Sequence, residues 1–283
     1  MRLKAFTTLV ALASASAALA QDATDDWDSF VQPDNRVTMA SVQFTETVSI
    51  IVRCQDGGLD AVMTGLPPIT GVDRRELMLK FADDETPSPT YWNVGVDPSV
   101  GVSERPAGFA RQLRQGGRLD VIVPGGGENG RNLRYALDLP TSHAVIDRTL
   151  AACGKPIEDP REAAAADLGE SGLPVGFVWA QQPRPQYPSG RRVYERGFAV
   201  VTCLSEPDGN LTACEVETEH PRDGGFGEAT LDATRRARVE NSAAPGQPIP
   251  PRIVQFRSSY SMESVGDAAL RSTRATRAPE RPN

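Results

Sequence analysis

Histidine is scarce in this sequence: 283 residues hold 2 of them, His143 and His220. A zinc centre or a hydrolytic triad needs several imidazole, thiol or carboxylate groups converging on one point. The 4 cysteines do not fill the gap, because their placement reads as two disulfides. No catalytic residue, metal site or cofactor is expected, and the chain reads as non-enzymatic. Positive charge is also in deficit, 30 Lys and Arg against 37 Asp and Glu, for a net charge of −7. That balance removes the field a nucleic-acid partner would need. Long apolar runs are missing beyond residue 20, so no later segment offers the ~20 strongly apolar residues of a membrane helix. Gly125-Gly-Gly-Glu-Asn-Gly130 has the spacing of a dinucleotide loop but lacks the helix such a loop must open. Residues 131–137 alternate like a strand instead, which makes the glycines a hairpin loop.

What is present begins with Arg2, Lys4 and a small-residue-rich apolar run ending Ala18-Leu-Ala20 before Gln21. That is the pattern of a secretory signal peptide with its cleavage site, residues 1–20. An exported chain meets an oxidising compartment, where an even number of cysteines fits disulfides. Residues 22–35 are acidic around Trp27 and Phe30 and read as a solvated arm with one or two docked aromatics. From Arg36 the apolar period is two. Val48, Ile50, Val52 and Cys54 share a face, and so do Leu59, Ala61 and Met63. The pattern repeats at Leu77, Leu79 and Phe81, at Trp92, Val94 and Val96, at Leu119, Val121 and Val123, and at Leu133, Tyr135 and Leu137. The fold class is α+β, with residues 21–154 a β-sandwich or barrel-like domain. Its terminal helix runs from Ser142 to Cys153, capped by Thr141 or Ser142. Cys54 ends an inward-facing strand and Cys153 ends the inward stripe of this helix, which pairs them. Residues 155–182 form a linker, and residues 263–283 a polar, disordered tail.

The second domain, residues 183–262, centres on a hairpin from Gly197 to Pro221. Residues 198–203 and 211–218 alternate as two strands around Pro207-Asp208-Gly209-Asn210, whose residue types suit a tight reversal. A reversal centred between Asp208 and Gly209 sets Cys203 opposite Cys214, within disulfide reach. Glu217 and Glu219 then lie on a solvated face beside His220.

Pro185-Gln186-Tyr187-Pro188, Gly197, Asp208-Gly209, Val216 and Pro221 recur in a fixed order here. Gly225-Phe-Gly-Glu-Ala-Thr-Leu231 then opens a helix, and Gly246-Gln-Pro-Ile249 precedes a final strand, Ile253-Val-Gln-Phe256. In this order and spacing, residues 183–262 resemble the C-terminal domain of TonB-family proteins. The chain departs from the family at Arg184, where Gln is frequent, and at Ala237, where an aromatic closes the second helix. The resemblance implies a small α+β module with an antiparallel sheet and a short helix before Gly197. It also implies a last strand with an open edge that takes an extended segment of an outer-membrane transporter. Carried over residue by residue, the partner surface would be Arg184, Pro185, Gln186 and Tyr187 with Arg252, Ile253, Gln255 and Arg257.

The resemblance places the protein in the periplasm as an adaptor for a protein partner of the cell envelope, in a transport setting. If residues 1–20 are retained instead, the protein is an inner-membrane-anchored energy transducer. The N-terminal domain also loosely resembles β-rich accessory domains of exported proteins, which makes a component of a secretion or envelope machine the third reading.

Overall fold

A computed structural model describes residues 26–189 and 194–262. The expected signal peptide, residues 190–193 in the expected short helix, and the polar tail lie outside the described residues. The alternating stretches fold into strands β1 (Asp28–Gln32), β2 (Val37–Gln43), β3 (Ser49–Gln55), β4 (Gly58–Met63), β5 (Arg74–Phe81), β6 (Ser88–Val94) and β7 (Gly101–Ser103). Helix α1 (Pro106–Leu113), β8 (Gly117–Val123), β9 (Leu133–Leu139) and helix α2 (Ala144–Ala152) complete the first unit.

These nine strands form one sheet, ordered β1-β2-β3-β4-β7-β6-β5-β8-β9, with antiparallel neighbours throughout. A sandwich or barrel was expected; among the described residues β1 and β9 do not pair with each other, so the sheet is open rather than closed into a barrel. The alternating apolar faces of the sequence do converge, with Ile50, Val52, Leu77, Leu79, Leu119 and Val121 in one core. What covers that core is helical: Phe109, Ala110 and Leu113 of α1 and Ile146 and Leu150 of α2. Helix α1 was not expected. Pro106 starts it, where the missing N–H costs nothing, but eight residues are too few for a clear 3.6-residue period.

Smaller differences have local causes. Val96 is fully exposed because β6 ends at Val94 and the chain turns back, Gly95 N–H donating to the Val100 carbonyl. Helix α2 begins at Ala144, and neither Thr141 nor Ser142 caps it; the cap position is His143, which makes no capping hydrogen bond. The His143 Nδ1 instead lies 2.8 Å from the Asp147 carboxylate one turn on. Residues 28–32 of the acidic arm pair with β2 as β1, burying Trp27 and leaving Phe30 half exposed. Residues 125–130 do form the β8–β9 hairpin loop.

In the second unit β10 (Phe177–Gln181) pairs with β13 (Arg238–Asn241). Strands β11 (Arg196–Ser205), β12 (Leu211–His220) and β14 (Ile253–Ser261) make a three-stranded sheet ordered β12-β11-β14, with helix α3 (Phe226–Thr234) against β11 and β12. The segment expected as a spacer, residues 155–182, contains β10 and a 3-10 turn, Pro160–Ala164, with Arg161 buried. Both disulfides form: Cys54–Cys153 with Cα atoms 5.5 Å apart, and Cys203–Cys214 at 4.0 Å. The hairpin register is less regular than a simple count implies. Ser205 faces Leu211, and Thr202 faces Glu215, so an extra residue enters β12 near Ala213 at φ 46°.

Gly197 makes the closest backbone approach in this module. A Cβ there would meet the buried Phe226 ring at 2.1 Å, and Phe226 in turn packs on Tyr187 and Tyr260. Gly197→Ala should therefore destabilise by about 1–3 kcal/mol, the range for overpacking a closed core. Urea unfolding should show a lower midpoint at unchanged slope.

Candidate binding interface

The final strand is the element the sequence points to, and its hydrogen bonds define what it can offer. Ser205 N–H donates to the Arg252 carbonyl at 2.9 Å and Met262 N–H to the Glu195 carbonyl at 3.0 Å, bracketing the β11–β14 pairing. By antiparallel alternation, even-numbered residues of β14 bond inward to β11 and odd-numbered ones point their N–H and C=O outward. Gln255 obeys the rule: its N–H donates outward to the Gly172 carbonyl at 2.7 Å. Only glycine fits so close, since at φ +76° a Cβ on residue 172 would sit 2.2 Å from the Gln255 carbonyl. The edge expected to be open is thus closed at Gln255 by the chain's own turn, residues 169–172. Beyond it, Arg257, Ser259 and Ser261 have no outward main-chain partner among the described residues.

The side chains of the expected partner surface divide in two. Gln255, 3% exposed, donates its amide to Glu104 Oε2 at 2.7 Å. Arg257 reaches Glu104 Oε1 at 3.2 Å, Asn93 Oδ1 at 3.1 Å and Asp73 at 3.1 Å. Glu104 is 1% exposed and also takes two hydrogen bonds from Arg74, both at 2.9 Å. Ile253 is buried, and Arg252 gives its N–H to Ser205 Oγ. Tyr187 donates its hydroxyl to the Tyr194 carbonyl at 2.6 Å and packs edge-to-face on Phe226 and Tyr260, so it closes the module's core. Arg184 and Gln186 are exposed and Pro185 is half-buried. The Gln255 and Arg257 side chains of β14 therefore do not face solvent as the resemblance implied, whereas Ser259 and Ser261 are exposed. Gln255 and Arg257 instead meet Asp73, Asn93 and Glu104 of the first unit, which packs on that face.

A second polar layer joins the same two units. Glu217, expected on a solvated face, is 7% exposed; it is the extra residue between Val200–Thr218 and Val201–Val216, and the bulge turns it inward. Its carboxylate accepts from Thr202 Oγ1 at 2.6 Å and lies 3.8 Å from Arg161. Arg161 also donates to the Ala213 carbonyl at 3.0 Å and to Asp159 at 2.7 Å. Burial raises the Asp159 carboxyl, but hydrogen bonds from Arg161 and the charges of Arg161 and Arg111 overcome it and hold the group below the usual carboxylate range. Glu219 does not join this layer and accepts from Gly227 N–H at the start of α3. Arg222, in the loop after β12, pairs with Asp60 and the Gln55 carbonyl of the first unit. The contacts of Arg161 with Ala213 and Glu217, and of Arg222 with Asp60, were invisible in the sequence, because they join residues remote along the chain and carry no spacing.

His220 stacks on Phe198 at 6.0 Å, and no group of three or more His, Cys, Asp or Glu is placed to hold a metal among the described residues. No helix of the described residues is long and apolar enough to cross a membrane.

No protein-family model matches the chain. A stretch of 42 residues is 43% identical to an uncharacterized protein of Caulobacter vibrioides, covering 15% of this chain and 42% of that protein's length. Among solved structures, the solution structure of the Pseudomonas aeruginosa TonB C-terminal domain is similar over 32% of this chain and 89% of that domain, at 17% identity and a TM-score of 0.24.

Proposed function

We propose that the protein is a non-enzymatic adaptor of the bacterial periplasm, exported by the signal at residues 1–20. Its second unit takes up an extended segment of an envelope protein, such as an outer-membrane transporter, by strand addition. One observation carries the reading: Arg257, Ser259 and Ser261 point main-chain donors and acceptors outward with no partner among the described residues. Such an edge accepts a strand through backbone hydrogen bonds, with alternate side chains giving selectivity. The segment available is short, since Gly172 already occupies the position beside Gln255. An added strand therefore runs along residues 257–261, or displaces the turn at residues 169–172 to reach further. The TonB-family resemblance of residues 183–262 supports the transport setting.

The test uses the direction of one N–H. Ser259→Pro removes an outward donor and leaves the bonds to β11 intact, a place where edge strands tolerate proline. Synthetic peptides copying the short periplasm-facing segments of outer-membrane transporters are titrated into isotope-labelled protein. Amide shifts should concentrate on residues 257–261, disappear in Ser259→Pro and persist in Ser259→Ala. Absence of shifts there at millimolar peptide, or equal binding by Ser259→Pro, would overturn the reading.

A further inference from the structure

The first unit and the segment following α2 enclose a cleft of about 430 Å³, inside the ~300–1,000 Å³ range of small-molecule sites. Tyr91, Trp92 and Phe109 give it an aromatic wall, and residues 165–168 close the opposite side. Arg105, the residue before α1, lines the same space. Its backbone N–H bonds to Ser103 Oγ, but its guanidinium has no hydrogen bond or ion pair among the described residues, and Nε is buried without a partner.

That isolation is unusual in this region. Arg74 and Arg257 pair with Glu104, and Arg111 pairs with Glu162 at 2.8 Å. The cleft's own carboxylates Glu104 and Glu162 are thus already engaged by other arginines. Arg105 is half-buried and its guanidinium has no acceptor among the described residues, which leaves its terminal nitrogens available to an acceptor from outside the chain. No side chain caps helix α1, and Gly108 of its first turn also lines the cleft. Glu104, Glu162 and Asp167 line the same walls, and their charge opposes a dianion such as phosphate.

We infer that this cleft is a binding site for a small monocarboxylate with an aromatic or other apolar body. The carboxylate bonds the two Nη groups of Arg105 in a bidentate pair, the geometry in which guanidinium recognises carboxylate best, and the body lies against Tyr91 and Phe109. The site touches β14 only at Gln255, whose outward N–H the Gly172 carbonyl already takes, and it does not depend on strand capture along residues 257–261.

The probes are 4-phenylbutyrate and its neutral amide, 4-phenylbutyramide, titrated calorimetrically into the full-length exported protein. A ligand of this size should reach a Kd of about 1 mM. The acid should bind at least tenfold more tightly than the amide. Arg105→Gln should reduce the acid to the level of the amide and leave the amide unchanged. Equal affinity of the two probes for the wild type, no binding of the acid, or undiminished acid binding by Arg105→Gln would each overturn the proposal. The wild-type comparison stands whether or not the variant folds.

Discussion

Replacing Cys54 and Cys153 together by serine should lower stability by about 4–5 kcal/mol, the entropy of closing a ~100-residue loop in the unfolded chain. The two residues are 99 positions apart, and their bond fixes the end of α2 to β3 at Cys54. Helix α2 packs on β2 and β3, and its Ile146 and Leu150 fill the core of the nine-stranded sheet. Losing the bond frees the last element of the first unit to fray from the sheet it covers. The comparison that makes the result informative is the other disulfide, whose cysteines are 11 positions apart in one hairpin. Its loop is so short that the same treatment gives only about 3 kcal/mol, and the paired strands already hold those ends together. Urea unfolding of the two double-serine variants should therefore rank the long bridge above the short one. Amide exchange in α2 should also accelerate only when Cys54 and Cys153 are lost. An equal or reversed ranking would mean that residual structure in the unfolded chain, and not loop entropy, governs these bonds.

The bridges were legible in the sequence because each rests on a local pattern. Cys54 closes an alternating strand, Cys153 closes a helical stripe, and Cys203 and Cys214 flank a turn whose Asp-Gly chemistry sets the register to within one residue. The strands of the first unit were legible for the same reason: Val48, Ile50 and Val52, or Leu119, Val121 and Val123, carry the period of two and do face the core. What covers that core was not legible, because α1 is too short to show a period and Phe109, Ala110 and Leu113 also suit a loop. The candidate edge was legible only in part. The Ile253-Val-Gln-Phe256 pattern identifies the strand, but nothing in it tells that Gly172 lies beside Gln255. Nor does it tell that Arg257 reaches β6 and the residue just before β5. Those contacts span 83 to 184 positions and depend on how two units pack.

Glu104→Gln should have the largest effect of any single substitution between the units, a loss of about 3 kcal/mol. The carboxylate is 1% exposed and holds Arg74, Arg257 and Gln255 together through both of its oxygens. The amide keeps the size of the side chain but not its charge, so two guanidiniums lose their shared anion. Breaking a buried pair from one side costs about 3–5 kcal/mol. The lower end applies here, because Arg74 and Arg257 are 19% and 15% exposed and water can partly replace the lost partner. Arg74 also retains the Tyr91 ring, 4.0 Å below its guanidinium, and Arg257 retains Asp73. If the energy resides in the uncompensated charges, adding Arg257→Met to Glu104→Gln should recover part of the loss, and the double-mutant cycle should give a coupling of about 1–3 kcal/mol. Additive losses would assign the effect to packing instead. Because Gln255 and Arg257 belong to β14, the same substitution should loosen that strand from the first unit. Amide exchange along β14 should then rise more than exchange along β12, which also contacts β4 and α1 of the first unit.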